Sequence, residues 1–136
     1  MAKLDHFWMI FTTSTAGNAD SDAPSEVDVS VANTTVTYQL GLPNERVRGR
    51  TNQFRINVKP GDLPSANITS YGPQHFTLRT RGGADAWLPS SIWIIGQAED
   101  GELHLLAGVP HWPSSLWFSG DASEGKNEYT LNEGLQ

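Results

Sequence analysis

Three residues with oxygen-bearing side chains stand at alternate positions near the start of the chain: Asn18, Asp20 and Asp22. Calcium takes about six to eight oxygen ligands and is often held by polar loops. The spacing of an EF-hand is absent, however, because no glycine and distant glutamate follow at the required positions. Aspartate and asparagine also favour turns, since their side chains bond to nearby backbone. Calcium binding and a simple turn are therefore both open for this stretch.

A run of arginines is the second group suited to ligand binding. Arg46, Arg48 and Arg50 are spaced by two, so an extended segment would point all three the same way. Guanidinium groups pair well with carboxylates and phosphates, which indicates an anionic ligand or an acidic partner. The alternative is cross-strand pairing with Glu45, Glu26 or Asp28, because surface charges usually only solvate a face.

Tryptophan is concentrated in the second half of the chain, at positions 87, 93, 112 and 117. Trp93 falls in an apolar run and is expected in the core. Trp87 with Leu88, Trp112 and Trp117 lie beside prolines or in loops, where exposed indoles could stack on sugars or rest at a membrane interface. Corners of a β-sandwich also bury such residues, so burial is the alternative interpretation.

Residues that could carry catalysis do not form a recognisable motif. The chain has no cysteine, which excludes disulfides, thiolate zinc sites and cysteine nucleophiles. It also has no H-E-x-x-H zinc motif and no G-x-S-x-G nucleophile motif. A grouping of His111, Ser119 and Asp121 is of a kind that any chain of this size supplies by chance. The remaining histidines are scattered, at His6, His75 and His104.

Length and charge restrict the function classes further. A chain of 136 residues has the size of one domain, which we place at 1–136. The formal net charge of -6 argues against a general affinity for nucleic acid or anionic lipid. No apolar run approaches the roughly 20 residues that span a bilayer, and the start lacks the features of a signal peptide. We therefore expect a cytoplasmic protein, or a domain excised from a larger one.

Short β-type runs are the elements that must position these residues. Turn-forming Gly, Pro, Asn and Asp separate the runs, and no helical periodicity is sustained. The pattern predicts an all-β protein, an eight-stranded antiparallel β-sandwich of two four-stranded sheets. The segment 59–74, with three prolines, is predicted to be mostly a long loop. The predicted strands are 6–13, 26–32, 35–40, 51–58, 75–81, 90–97, 102–109 and 127–133.

Alternation along these runs selects the residues expected in the core, because successive side chains of a strand point to opposite faces. In the first run Trp8 and Ile10 are also apolar, so either face of this strand could be the one that lines the core. The predicted core consists of Phe7, Met9, Phe11, Val27, Val29, Val31, Val36, Tyr38, Leu40, Phe54, Ile56, Val58, Phe76, Leu78, Ile92, Ile94, Leu103 and Leu105.

Taken together, three stretches resemble the PLAT/LH2 domain, the β-sandwich of lipoxygenases, some lipases, a bacterial phospholipase toxin and polycystins. The first is "FWMIFTTSTAGNADSDAPSEVDVSV", in which Asp22-Ala23 corresponds to a Thr-Asp-Ala-type step in the opening loop of the family. The second is "NERVRGRTNQFRI", and the third is "AWLPSSIWIIG", with Trp87 before an alternating strand. The terminal tryptophan of the family corresponds to Trp112 or Trp117. The resemblance covers about residues 6–118.

The resemblance implies a non-catalytic binding module that contacts lipid, a membrane or a partner protein, in some members with calcium. The expected contact residues are then the loop tryptophans Trp87, Trp112 and Trp117, together with Leu88, Arg46, Arg48 and Arg50. The expected calcium ligands are Asn18, Asp20 and Asp22. With the acidic net charge, the partner is expected to be neutral lipid, or anionic lipid bridged by calcium. Two alternatives are a carbohydrate-binding β-sandwich that uses the loop tryptophans, and a small β-barrel enzyme such as a cyclase, with a cavity between the sheets.

Overall fold

The structure is a computed structural model that describes residues 3–15, 26–31, 37–41, 49–58, 63, 67–81, 87–119 and 128–132. Within 26–31 and 37–41, and at positions 80 and 81, it describes the backbone and not the side chains.

The described residues form two antiparallel sheets. Sheet I has the strand order β4-β1-β6-β7, and sheet II has the order β3-β2-β5-β8. No α-helix occurs in the described ranges, so the prediction of an all-β protein is confirmed. The strands are β1 (Leu4–Thr13), β2 (Glu26–Val31), β3 (Thr37–Gly41), β4 (Thr51–Asn57), β5 (Phe76–Arg81), β6 (Pro89–Ala98), β7 (Leu103–Val109) and β8 (Glu128–Thr130).

The predicted sandwich is reproduced in outline and not in its exact strands. β8 has three residues where the sequence predicted seven. The segment 59–74, predicted as a loop, contains the 3-10 turn Ile68–Ser70 and the start of a second, Pro73–His75. Asn67 caps the first turn, because its side-chain oxygen accepts a hydrogen bond from the Thr69 amide at 3.1 Å.

The core lies between the two sheets. Phe7 of β1 meets Phe76 of β5 edge to face, with ring centroids 5.4 Å apart, so the inner faces of both sheets are in direct contact. Predicted core residues that are buried are Phe7, Met9, Phe11, Ile56, Phe76, Leu78, Ile92 and Ile94, while Phe54 and Val58 are partly buried. The predicted core residues Val27, Val29, Val31, Val36, Tyr38 and Leu40 lie outside the described side chains.

The core prediction is wrong at Leu103 and Leu105, which are 61% and 62% exposed. The cause is an irregularity in the pairing of β7 with β6. Ile94 pairs with Ala107 while Ile95 pairs with Leu105, so Leu106 is an extra residue in β7. Such a bulge changes which positions point inward, and Leu106 and Ala107 are consequently both buried. Sequence alternation cannot locate a bulge of this kind.

Gly96 of β6 gives a test of how closely the inner face is packed. A Cβ atom at this position would lie 2.7 Å from Ile68 Cδ1 and 2.9 Å from Leu106 Cδ1. We expect Gly96→Ala to lower the free energy of unfolding by about 1–3 kcal/mol, because the overpacked neighbours must move. Chemical denaturation measures the change. Gly72→Ala is the matched control, since its Cβ would meet only the end of the flexible Gln74 side chain. Equal losses in the two variants would contradict the close packing at Gly96.

Candidate functional site

Trp87 and Leu88, expected as contact residues, are 0% and 2% exposed. The Trp87 indole Nε1 donates a hydrogen bond to Thr13 Oγ1 at 3.0 Å. The Trp87 backbone pairs with Phe118 through two hydrogen bonds of 2.8 Å each. These contacts are those of a structural residue that ties 87–88 to the end of β1. The burial interpretation therefore holds at this loop.

Trp112 is also buried, with 5% of its surface exposed. Its Nε1 donates to the Leu116 carbonyl oxygen at 2.8 Å, and its ring lies 5.6 Å from that of Phe118. Trp117 is half-buried, and its carbonyl oxygen accepts a hydrogen bond from the Tyr129 hydroxyl at 2.9 Å. The loop tryptophans thus close one end of the core, and they do not present an exposed aromatic platform.

The predicted arginine and calcium sites fall largely outside the described residues. Arg50 is exposed, while Arg46 and Arg48 are not described. The candidate calcium ligands Asn18, Asp20 and Asp22 are not described either. In the described ranges, no three His, Asp or Glu side chains lie close enough together to hold a metal ion.

The described histidines have local partners rather than a shared one. His6 Nδ1 lies 2.7 Å from Asp5 Oδ2, and His104 Nε2 lies 3.1 Å from Glu102 Oε1. His75 Nδ1 accepts a hydrogen bond from the Gly72 amide at 3.0 Å. His111 is exposed, in the segment that follows β7. The described histidines thus sit on different elements, and the partners given for His6, His75 and His104 lie within three residues of them in the sequence.

The outward side of sheet I carries a continuous group of apolar side chains. In β1 and β6, buried residues alternate with half-buried ones, which therefore point away from the core. The strand register places Trp8 beside Ile95, Ile10 beside Trp93, and Ile95 beside Leu105. We call this group the outer apolar face, and it consists of Trp8, Ile10, Trp93, Ile95, Leu103 and Leu105.

Trp93 belongs to this face because the pleat of β6 alternates, with Ile92 and Ile94 pointing inward. The expectation that Trp93 lies in the core is therefore wrong. Its indole lies against β7 at Gly108, where an added Cβ would come within 2.8 Å of Trp93 Cζ3. The absence of a side chain at Gly108 makes room for the ring and so fixes its position on the sheet surface.

Trp8 is held at the other side of the same face. Its Nε1 donates to Gln97 Oε1 at 3.0 Å, and its ring meets the buried His6 ring edge to face at 5.3 Å. The Arg55 guanidinium lies 6.0 Å from the centre of a Trp8 ring, at the outer limit of a cation–π contact. These neighbours restrict the indole, so little rotational freedom remains to be lost when Trp8 meets a ligand.

A charged group borders this face beside Trp8, and its members are locally engaged. The Arg55 Nε donates to Asn57 Oδ1 at 2.9 Å, and Arg55 Nη2 lies 3.8 Å from Asp5 Oδ2. Asp5 in turn contacts His6. The six members of the face are themselves aliphatic and indole side chains, with Gln97 bonded to Trp8 beside them. Exposed apolar groups of this kind are typical of an interaction surface.

Sequence reasoning did not identify the outer apolar face, although a signal for it is present. The stretch "FWMIF" in β1 and the stretch "IWII" in β6 are apolar at consecutive positions, so each strand has two apolar faces. Only one of those faces can line a sandwich core, and the other must be covered by something or be exposed. Trp8 and Ile10 showed this ambiguity, which the sequence alone could not resolve.

The chain matches solved structures of much longer proteins. The structure of alpha toxin from Clostridium absonum matches with a TM-score of 0.64 at 18% identity, over 96% of this chain and 32% of the toxin chain. A LOX structure solved in complex with arachidonate matches with a TM-score of 0.54 at 17% identity, over 91% of this chain and 16% of that chain. No family model and no curated protein matches the sequence.

The spans of these matches show that the chain corresponds to about a third of the toxin and less than a fifth of the LOX protein. In the described ranges, no helix has both the length and the apolar character needed to cross a bilayer. At identities this low, the likeness establishes architecture alone. That architecture is a β-sandwich of the PLAT/LH2 type.

Proposed function

We propose that this domain is a non-catalytic binding module that attaches to a lipid surface through the outer apolar face. The observation that carries the proposal is the exposure of Leu103 and Leu105, at 61% and 62%, beside two indoles on the same face of sheet I. An exposed apolar group of this kind costs free energy in water and favours a partner that removes it from water.

The size of this effect predicts weak and reversible attachment. Full burial of a leucine side chain contributes about 1.5–3 kcal/mol. Two leucines that begin roughly three-fifths exposed would then contribute about 2–4 kcal/mol together. Trp8 and Trp93 add to this, because indoles favour the interfacial zone of a bilayer. The leucine contribution is smaller than that of a single lipid anchor, which by itself binds membranes only marginally.

The likeness to known structures supports a lipid partner without identifying one. The LOX protein that shares this fold was solved with arachidonate, a fatty acid. The present chain corresponds to a small part of that protein, so we take from it only the lipid context. The acidic net charge of -6 separately favours a surface without strong negative charge.

A carbohydrate ligand is the second candidate, and one observation favours it. Trp8 and Trp93 both lie on one side of sheet I, and aromatic rings on a flat sheet face can stack on sugar rings. The four aliphatic members of the face favour lipid instead, since they supply apolar area and no hydrogen bonds. Co-sedimentation with insoluble polysaccharides tests the sugar alternative.

Co-sedimentation of the purified domain with phosphatidylcholine vesicles tests the main proposal. We expect a fraction of the protein to pellet that rises with lipid concentration. Absence of pelleting with neutral and with anionic vesicles, both with and without calcium, would overturn the lipid proposal.

A broad hydrolase and isomerase screen tests the non-catalytic part of the proposal. Turnover that disappears in His104→Ala or His111→Ala would overturn the non-catalytic assignment and favour the cyclase-like alternative.

Calcium assistance is a separate part of the proposal and concerns Asn18, Asp20 and Asp22. An ion that binds only the folded state must raise its stability, by about 1.4 kcal/mol at a tenfold excess over Kd. We therefore expect calcium at about 10 mM, a tenfold excess over a weak Kd near 1 mM, to raise the melting temperature of the wild type by roughly 3–6 °C. Asp20→Ala/Asp22→Ala should remove this shift. Equal responses of both proteins to calcium would contradict binding at these residues.

A further inference from the structure

We infer that the plane of sheet I, rather than a loop tip, is the contact surface, and that it fits an electrically neutral lipid interface. The inference deepens the proposed function and rests on it. It concerns the orientation of the domain and the headgroup charge of its partner.

The arrangement of the six side chains describes a plane. They come from three adjacent strands, β1, β6 and β7, which span about 10 Å across the sheet. Along β6, the distance from Trp93 to Gln97, which pairs with Leu103, corresponds to about 13 Å. A hairpin tip would present only residues near the Asp100-Gly101 turn. Here the indoles stand in the middle strands, where Gln97 bonds to Trp8 and the Trp93 ring lies against Gly108.

The charges that border the plane favour a neutral occupant. Arg55 contacts this face at Trp8, and Asp5 and Asn57 already engage its guanidinium. An anionic headgroup would have to compete with Asp5 for Arg55. It would also be repelled by the net charge of -6 that the chain carries. Repulsion of this kind acts over a Debye length of about 8–10 Å in physiological salt. A zwitterionic or uncharged interface avoids it.

A second copy of the chain is a less suitable occupant. The face measures about 10 Å across the strands and about 13 Å along β6, and with the width of the side chains it covers roughly a few hundred Å². A stable protein interface buries about 800 Å² on each partner. A lipid surface has no such minimum, because it moulds itself to whatever apolar area the sheet presents.

The headgroup part of the inference is tested by salt dependence. Partition to phosphatidylcholine vesicles should change by less than about twofold between 50 and 500 mM salt, because no net charge attraction is involved. Partition to vesicles that contain phosphatidylserine should be several-fold weaker at low salt and should rise as salt screens the repulsion. Tighter binding to the anionic vesicles that weakens with salt would overturn the neutral-lipid inference and leave the proposed function intact.

The orientation is tested with single labels, since the chain has no native cysteine to interfere. An environment-sensitive dye is attached to Gln53→Cys on β4, Glu99→Cys near the β6–β7 turn, or Ser114→Cys as a control, all exposed positions. Gln53 pairs with Ile10 and borders the plane on the side opposite β7. We expect the dye at Gln53→Cys to shift on vesicle binding, and the dye at Ser114→Cys to stay unchanged.

A shift at Glu99→Cys alone would show insertion of the turn and would overturn the planar orientation. Sedimentation of the unlabelled protein with vesicles separates a failure to bind lipid from a wrong orientation. Binding without a dye shift at Gln53→Cys contradicts only the orientation. Self-association without lipid, measured by analytical ultracentrifugation and abolished by Leu105→Asp, would assign the face to a second copy and overturn the inference.

Discussion

Trp87→Ala is expected to lower the free energy of unfolding by about 3–5 kcal/mol, the range for removing a large buried aromatic side chain. Trp87 is fully buried, contacts the rings of Phe11 and Phe118, and donates a hydrogen bond to Thr13. Its removal therefore leaves a cavity and a buried hydroxyl without this donor. Single domains are stable by only about 5–15 kcal/mol, so the loss is a large share of the total.

Trp93→Ala is the matched control, because it deletes the same side chain from the outward side of sheet I. Trp93 is half-buried and rests on Gly108, so truncation exposes a strand surface instead of opening a core cavity. Urea denaturation of both variants measures the difference. A loss for Trp93→Ala equal to that for Trp87→Ala would contradict the assignment of one tryptophan to the core and the other to the surface.

Leu103→Asp/Leu105→Asp is expected to reduce partition to phosphatidylcholine vesicles by at least about tenfold. The two leucines account for about 2–4 kcal/mol of the proposed transfer free energy, and each 1.4 kcal/mol corresponds to a tenfold change in affinity. Two carboxylates in their place would also have to be desolvated at the lipid interface. The melting temperature should change little, because both positions are largely exposed in the folded protein.

Ser114→Asp/Ser115→Asp adds the same charge at two exposed positions outside the outer apolar face and serves as the control. It should retain the partition of the wild type to within about twofold, since it leaves the apolar area unchanged. Leu103→Ser/Leu105→Ser removes the apolar side chains without adding charge and should also bind weakly. Equal partition of the leucine variants and the wild type would show that the leucines make no contact with lipid.

The interpretation of the tryptophans changes most between sequence and structure. Composition and the neighbouring prolines correctly placed Trp87 and Trp112 outside the main runs of the strands, but these features do not determine exposure. Trp87 is buried because residues 87 and 118, distant in the chain, form a bridge that closes one end of the sandwich. Only the tertiary pairing of these segments decides that the rings turn inward.

The sequence by itself determined that this chain is an all-β protein. Alternation also selected buried residues correctly at Phe76 and Leu78 of β5 and at Ile92 and Ile94 of β6. Side-chain direction in a strand follows directly from the backbone repeat of two. The resemblance of three short stretches, in turn, indicated the fold type that the comparison with solved structures supports. Each of these features depends on local geometry or on the order of the elements along the chain.

The tertiary structure alone decided where the candidate site lies. Local periodicity defines two faces for a strand and cannot say which is covered when both are apolar, as at Trp8 and Met9. It also cannot reveal the bulge that turns Leu103 and Leu105 outward, since the bulge exists only in the pairing of β7 with β6. The outer apolar face combines residues from positions 8 to 105, and the register between strands brings them together. Cross-strand register is a long-range property, and for that reason the tertiary structure was needed to find the face.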